Sequence, residues 1–279
     1  MATPDTYPSG QRGLLRRSVE IYRQHFGVFI SITILPQILI YTVLRLLVRI
    51  PELIGIKGEG LIVIPGLLAV MALPCFVALA VAAFAVRDIQ LGHLPAFRAA
   101  YGRLGWKKSR ALVNLTGSIV LRGFAFFAFI CLPSVFMAIT VSLPEGEAGK
   151  YTPLVLGLVL AGSFVSRYVV AVPALLLEDI DSPRALERGL LLTKGKGLLA
   201  VGTGLLSMAI AIAPAVLFHF FASFAAAMLS IGSGPHPSWL GWLEVAGGAG
   251  GQILIGPIWT IPPALLYYDL KARQERLNP

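Results

Sequence analysis

Six long apolar stretches, at 26–47, 61–86, 111–143, 152–177, 198–229 and 239–268, take up most of this chain. A helix crosses the ~30 Å hydrocarbon core in about 20 residues, and every stretch reaches that length. Of the 279 residues 56% are hydrophobic and 13% charged. A soluble domain carries about 25% charge. This balance excludes a disordered chain, a collagen and a coiled coil, and it argues against an ordinary water-soluble enzyme. The expected fold is all-α: a polytopic bundle of six transmembrane helices. The single membrane domain covers 11–268, between a flexible tail at 1–10 and a cytoplasmic tail at 269–279.

The charge pattern orients the bundle. Net charge is +9, which in a soluble protein would suggest nucleic acid. Here the basic residues alternate in density between the stretches, which is the positive-inside pattern. Seventeen of the 23 Lys and Arg residues lie before the first stretch, in 87–110, in 184–196 and after 268. Four lie in the opposite connections (Arg45, Arg49, Lys57 and Lys150), and two lie within spans. Both termini are therefore predicted to be cytoplasmic in a multi-pass protein of the cell membrane. The expected partners are anionic lipid headgroups on the cytoplasmic side, with a membrane protein as a second possibility and no nucleic acid. The first 25 residues hold Arg12, Arg16, Arg17 and Arg23 without a compact apolar core and cleavage site, so the first span is expected to be an uncleaved anchor. The sequon at Asn114 lies on the predicted cytoplasmic side and is discounted.

Before each odd-numbered span lies a segment with amphipathic helical spacing. The apolar positions are Leu15, Val19 and Tyr22 in the first, and Leu94, Phe97, Tyr101 and Leu104 in the second. In the third they are Leu186 and Leu190, with Ser182 placed to cap and Pro183 after it. Such helices lie at the membrane interface, basic side toward the headgroups. The predicted unit is an interfacial helix plus a transmembrane hairpin, three times over.

Arg122 and Arg167 are the costliest residues in the spans. A central arginine costs at least about 2.5–3.5 kcal/mol, so it faces a partner or a cavity, or it snorkels. Two readings stay open. In one, both arginines sit at the inner headgroup level as anchors. In the other, they line a cytoplasm-facing cleft and hold an anion such as a lipid phosphate, which a planar guanidinium grips with two parallel hydrogen bonds. Glu178 and Asp269 end the fourth and sixth spans on the same side and are candidate ion-pair partners, whose pairing would close the anion site. Gly247 and Gly251 make a GxxxG spacing suited to close helix packing. With Pro257, Pro262 and Pro263 they also suit a broken helix along a transport path. Cys75, Cys131 and His219 read as packing residues, and Glu244 beside Trp239 and Trp242 reads as part of an interfacial belt. Without HExxH or a His/Cys/Asp cluster, no metal or cofactor is expected.

Three segments carry a resemblance. They are RRSVEIYRQHFGVFISITILP (16–36), RYVVAVPALLLEDIDSPRALERGLLLTKGKG (167–197) and PIWTIPPALLYYDLKARQERL (257–277). Together they resemble the membrane-domain family of the glycerophosphoryl diester phosphodiesterases, six-span proteins of bacteria and archaea. By position, Pro173 and Glu178 match the family's fourth-span end, and Ala185, Leu186 and Arg188 match the helix that follows. Tyr267, Asp269, Leu270, Lys271 and Arg273 match the exit motif. The chain departs from the family at Gly189-Leu190, where Ser-Trp is common. Some members fuse this membrane part to a soluble phosphodiesterase, but the spans and linkers here leave no room for that domain, so the enzyme name is not carried over. The leading expectation is a non-enzymatic protein that engages headgroups or a membrane partner through its basic face. The rivals are a transporter or lipid translocase using the sixth span with Arg122 and Arg167, and a membrane-embedded phospholipid hydrolase.

Overall fold

A computed structural model describes residues 11–54, 63–140, 160, 164, 168–230 and 238–277. Among these there are nine α-helices and no strand. They are α1 (Gln11–Gln24), α2 (Phe26–Ile54), α3 (Val63–Gln90), α4 (Phe97–Gly102) and α5 (Trp106–Thr140), then α6 (Ala171–Leu177), α7 (Ser182–Thr193), α8 (Gly197–Ser230) and α9 (Ser238–Leu277). Helices α2, α3, α5, α8 and α9 have 28 to 40 residues. At 1.5 Å per residue each exceeds about 40 Å, more than a bilayer's hydrocarbon. Among the described residues, Ala72–Gln90 and Ala249–Arg276 are long and apolar enough to cross a membrane. A third crossing results if Arg12–Gln24 and Phe26–Ile40, bent by 97°, are taken as one span. Much of the predicted fourth span, with Arg167, lies outside the described residues, as do the side chains of Cys131, His219, Trp239, Trp242 and Glu244.

Helices α3, α6 and α9 pack against one another. A short helix covers each inner helix: α4 on α3, α7 on α6 and α1 on α9. Outside them, α2 lies beside α3 and α9, α5 beside α3 and α6, and α8 along α9. The core sits at the end of the molecule where the short helices gather, and it is made of Ala, Val, Leu, Phe and Ile. Residues 80–86 of α3 and most of 170–176 are fully or almost fully buried there.

The inner ends share a pattern. AVAAFAVRDI (80–89), AVPALLLEDI (171–180) and IPPALLYYDL (261–270) recur at intervals of about 90 residues. Ala83, Ala174 and Ala264 occupy matching positions and have no exposed surface. Small residues there let three helices approach closely.

The short helices are turned relative to the expected faces. In α1 the buried positions are Leu14, Ser18, Ile21 and Tyr22, whereas Val19 is exposed. Leu94 precedes α4 and is 87% exposed, so only Leu104 of the expected α4 face is buried. In α7 Leu186 is buried but Leu190 is exposed. Asp181, not Ser182, occupies the N-cap position of α7, and its side chain makes no capping bond. The Ser182 hydroxyl instead donates across to the Ala111 carbonyl of α5 at 2.7 Å. Each difference has one cause: a short helix turns to suit the neighbour it lands on, which its own periodicity does not encode.

Pro36 and Pro257, within long helices, free carbonyls that face hydroxyls on other helices. Pro36 cannot donate to the Ile32 carbonyl, which accepts from the Tyr101 hydroxyl at 2.9 Å. Pro257 likewise frees the Ile253 carbonyl, 3.2 Å from the Thr33 hydroxyl. Helix α9 runs through Pro257, Pro262 and Pro263 as one helix of 40 residues. Gly247 lies under the Phe218 ring of α8, where a Cβ would come within 2.5 Å of ring carbon. The glycine thus serves close packing of the α8–α9 hairpin.

Candidate functional site

An acid near the inner end of each of the helices α3, α6 and α9 pairs with an arginine further along the chain. Arg103 meets Asp88 at 2.6 Å, and the carboxylate is 5% exposed. Arg188 donates through Nε to Glu178 Oε2 at 3.0 Å. Arg273 meets Asp269 at 3.0 Å. The middle case differs in one respect. Asp179, the positional match of Asp88 and Asp269, has φ +54. This left-handed conformation ends α6 and points its side chain outward, 3.4 Å from Lys108. The preceding Glu178 takes the inward role.

Four of the residues singled out by motif meet in one network. Tyr267 donates its hydroxyl proton to Glu178 Oε1 at 2.8 Å, and Lys271 Nζ lies 3.4 Å from the same oxygen. Arg188 also donates to Gln274 Oε1 at 2.9 Å. The network ties α6, α7 and α9 together. Burial pushes the Glu178 carboxyl up, but the hydrogen bonds from Tyr267 and Arg188 and the charges of Arg188 and Lys271 outweigh it, so it titrates below the ordinary range. Asp269 and Arg273 form a separate pair along α9. Glu178 and Asp269 are thus engaged with partners other than Arg122.

Arg122 lies elsewhere, on the face of α5 that borders the start of α7. A cavity of about 400 Å³ opens there, with Lys107, Arg110, Asn114, Ser118 and Arg122 of α5 on one side. Asp181, Ser182, Pro183 and Leu186 form the other side. The α5 residues recur at three- and four-residue steps, so one helix face carries them all. The Arg122 guanidinium is 5.9 Å from the centre of the Tyr168 ring, within cation–π range. Among the described residues, Lys107, Arg110 and Arg122 have no carboxylate partner. Asp181 is the one acid on the cavity wall, and Arg184 stands 3.6 Å from it.

A second cavity of about 210 Å³ lies where α3, α6 and α9 converge, lined by Arg87, Gln90, Leu177, Tyr267, Tyr268 and Lys271. Glu178 holds two of its lining groups, so it is a smaller and more neutralised space than the cleft. Among the described residues, no three His, Cys, Asp or Glu side chains converge as a metal site would require.

Comparison with family models, with curated proteins and with solved structures gives no match. The site therefore rests on its own geometry. Sequence reading singled out Arg122 but missed Lys107, Arg110, Asn114 and Ser118 as its companions. Their spacing along one helix face was the available signal. The Asp88–Arg103 pair was also missed, although the recurrence of 80–89 at about 90-residue intervals marks Asp88.

Proposed function

We propose that this is a six-span protein of the cell membrane, built from three units of interfacial helix plus hairpin, which binds anionic lipid headgroups at its basic cytoplasmic face. In this reading it is not an enzyme, and the cleft beside α5 is the point of attachment for a lipid phosphate. The observation that carries it is three cations without carboxylate partners around one cavity, where α5 emerges from its apolar length. A clean crossing over 123–142 puts Arg122 at the inner headgroup level. Three apolar side chains add support. Leu94, Trp106 and Leu198 are 82–90% exposed at the ends of helices on this side, where an acyl boundary would cover them. The resemblance to the membrane-domain family is part of this proposal. The translocase reading calls for a broken sixth span, and the unbroken α9 gives it no support.

Native mass spectrometry of protein extracted gently with its own lipids tests the proposal. Wild type is expected to retain a stoichiometric anionic lipid that an Arg122→Ala/Arg167→Ala variant of unchanged helix content loses. Equal, non-stoichiometric lipid on both would leave the arginines as snorkelling anchors.

A further inference from the structure

We infer that the cleft beside α5 selects a phospholipid whose headgroup is a hydroxylated spacer ending in a second anion. The inference rests on the lipid-binding reading above and names the class of lipid. Its basis is the distribution of charge along the cleft. Lys107 and Arg110 stand at one end and Arg122 at the other, with Asn114 and Ser118 between them. From 110 to 122 the helix rises about 18 Å. Each arginine stem can bend through about one helical turn, ~5 Å, which leaves roughly 8 Å for the ligand to bridge. A single phosphate would reach one end only. Two anions separated by a polyol would reach both, with Asn114 and Ser118 bonding the hydroxyls between.

The opposite wall favours the same ligand. Ser182 donates to the Ala111 carbonyl and fastens the start of α7 against α5, so the cleft has a fixed width. Pro183 and Leu186 bring no charge to that wall. Asp181 would repel an anion near Arg110, but Arg184 at 3.6 Å offsets it. The cavity of about 400 Å³ lies within the ~300–1,000 Å³ of small-molecule sites, far more than one phosphate fills. Arg122, held against Tyr168, takes the phosphate nearest the hydrocarbon. Lys107 and Arg110 take the distal anion in the aqueous layer.

The test uses the full chain in phosphatidylcholine nanodiscs doped with phosphatidylglycerol or with phosphatidylinositol 4-phosphate. The second lipid supplies a phosphate, a polyol ring and a distal phosphate. It is expected to bind about tenfold more tightly than the first. Lys107→Gln/Arg110→Gln should abolish this preference while leaving phosphatidylglycerol bound, and Arg122→Gln should weaken both lipids. Ser118→Leu fills the middle of the cleft with every charge kept, and it should likewise remove the preference in a protein of normal helix content. Soluble glycerophosphoinositol 4-phosphate should compete only weakly, and competition as strong as the lipid's own would assign a free anion and overturn the lipid. Equal binding of the two lipids, lost only on Arg122→Gln, would overturn the two-anion cleft while the lipid-binding reading stands. Absence of binding, or binding insensitive to Arg122→Gln, would overturn both.

Discussion

Tyr101 shows how one side chain secures a junction between helices. Its hydroxyl supplies the hydrogen bond that Pro36 denies to the Ile32 carbonyl. Burial pushes its pKa up to about 12, so the proton it donates stays in place at any ordinary pH. Tyr101→Phe would leave that carbonyl unpaired at a cost of about 1–3 kcal/mol, read as a lower midpoint of thermal unfolding in detergent. Pro36→Ala in the same background restores a backbone donor and should recover part of the loss. An unchanged midpoint in the single variant would show that water reaches the carbonyl. Gly189 secures another junction by having no side chain. A Cβ there would meet the Ala171 backbone nitrogen and Cβ at 3.1 Å. Gly189→Leu should push α7 off α6 and destabilise the protein by about 1–3 kcal/mol, as overpacking does, seen as faster proteolysis between α6 and α8.

Between elements, Glu178 is the joint with the most partners. Its carboxyl titrates lower in the folded protein than in the unfolded chain, so on acidification the unfolded chain takes up the proton first. The stability this group contributes is present above its ordinary value of 4.5 and is lost as pH falls through the lower folded value. Wild type should therefore lose stability below about pH 4.5. Glu178→Gln should flatten that part of the pH profile and be less stable than wild type at pH 7. Denaturation midpoints measured across this range check both points. Equal slopes for the two proteins would show that Glu178 does not carry the acid dependence.

For the whole molecule, α1 packs on α9, and basic residues are dense before α2 and after 268. Together with the excess of Lys and Arg there, this predicts that both tails face the cytoplasm. Single cysteines placed at Arg12 and at Arg276, in a background lacking Cys75 and Cys131, should be labelled by an impermeant reagent only after the cells are opened. Labelling of either one in intact cells would reverse the assignment. Loss of lipid from the cleft should leave this orientation unchanged, because on this reading seventeen basic residues set it and the cleft uses two of them, Lys107 and Arg110.

Hydropathy and charge settle much of this protein before any packing is considered. They mark the long apolar helices, the basic end, and the presence of a short helix before α2, α5 and α8. Each of these depends on a local sum of side chains measured against water or hydrocarbon. Arg122 stands out on the same ground, as a charge within an apolar run. Only the tertiary structure decides which side of each short helix is buried, which acid takes which arginine, and which residues share the cleft with Arg122. Those outcomes depend on how helices from segments about 90 residues apart rotate and land on one another. Asp179 turns outward and Glu178 inward because the chain leaves α6 at Glu178 and turns left-handed at Asp179, a choice set by backbone geometry at one residue and by the partners waiting on α7 and α9.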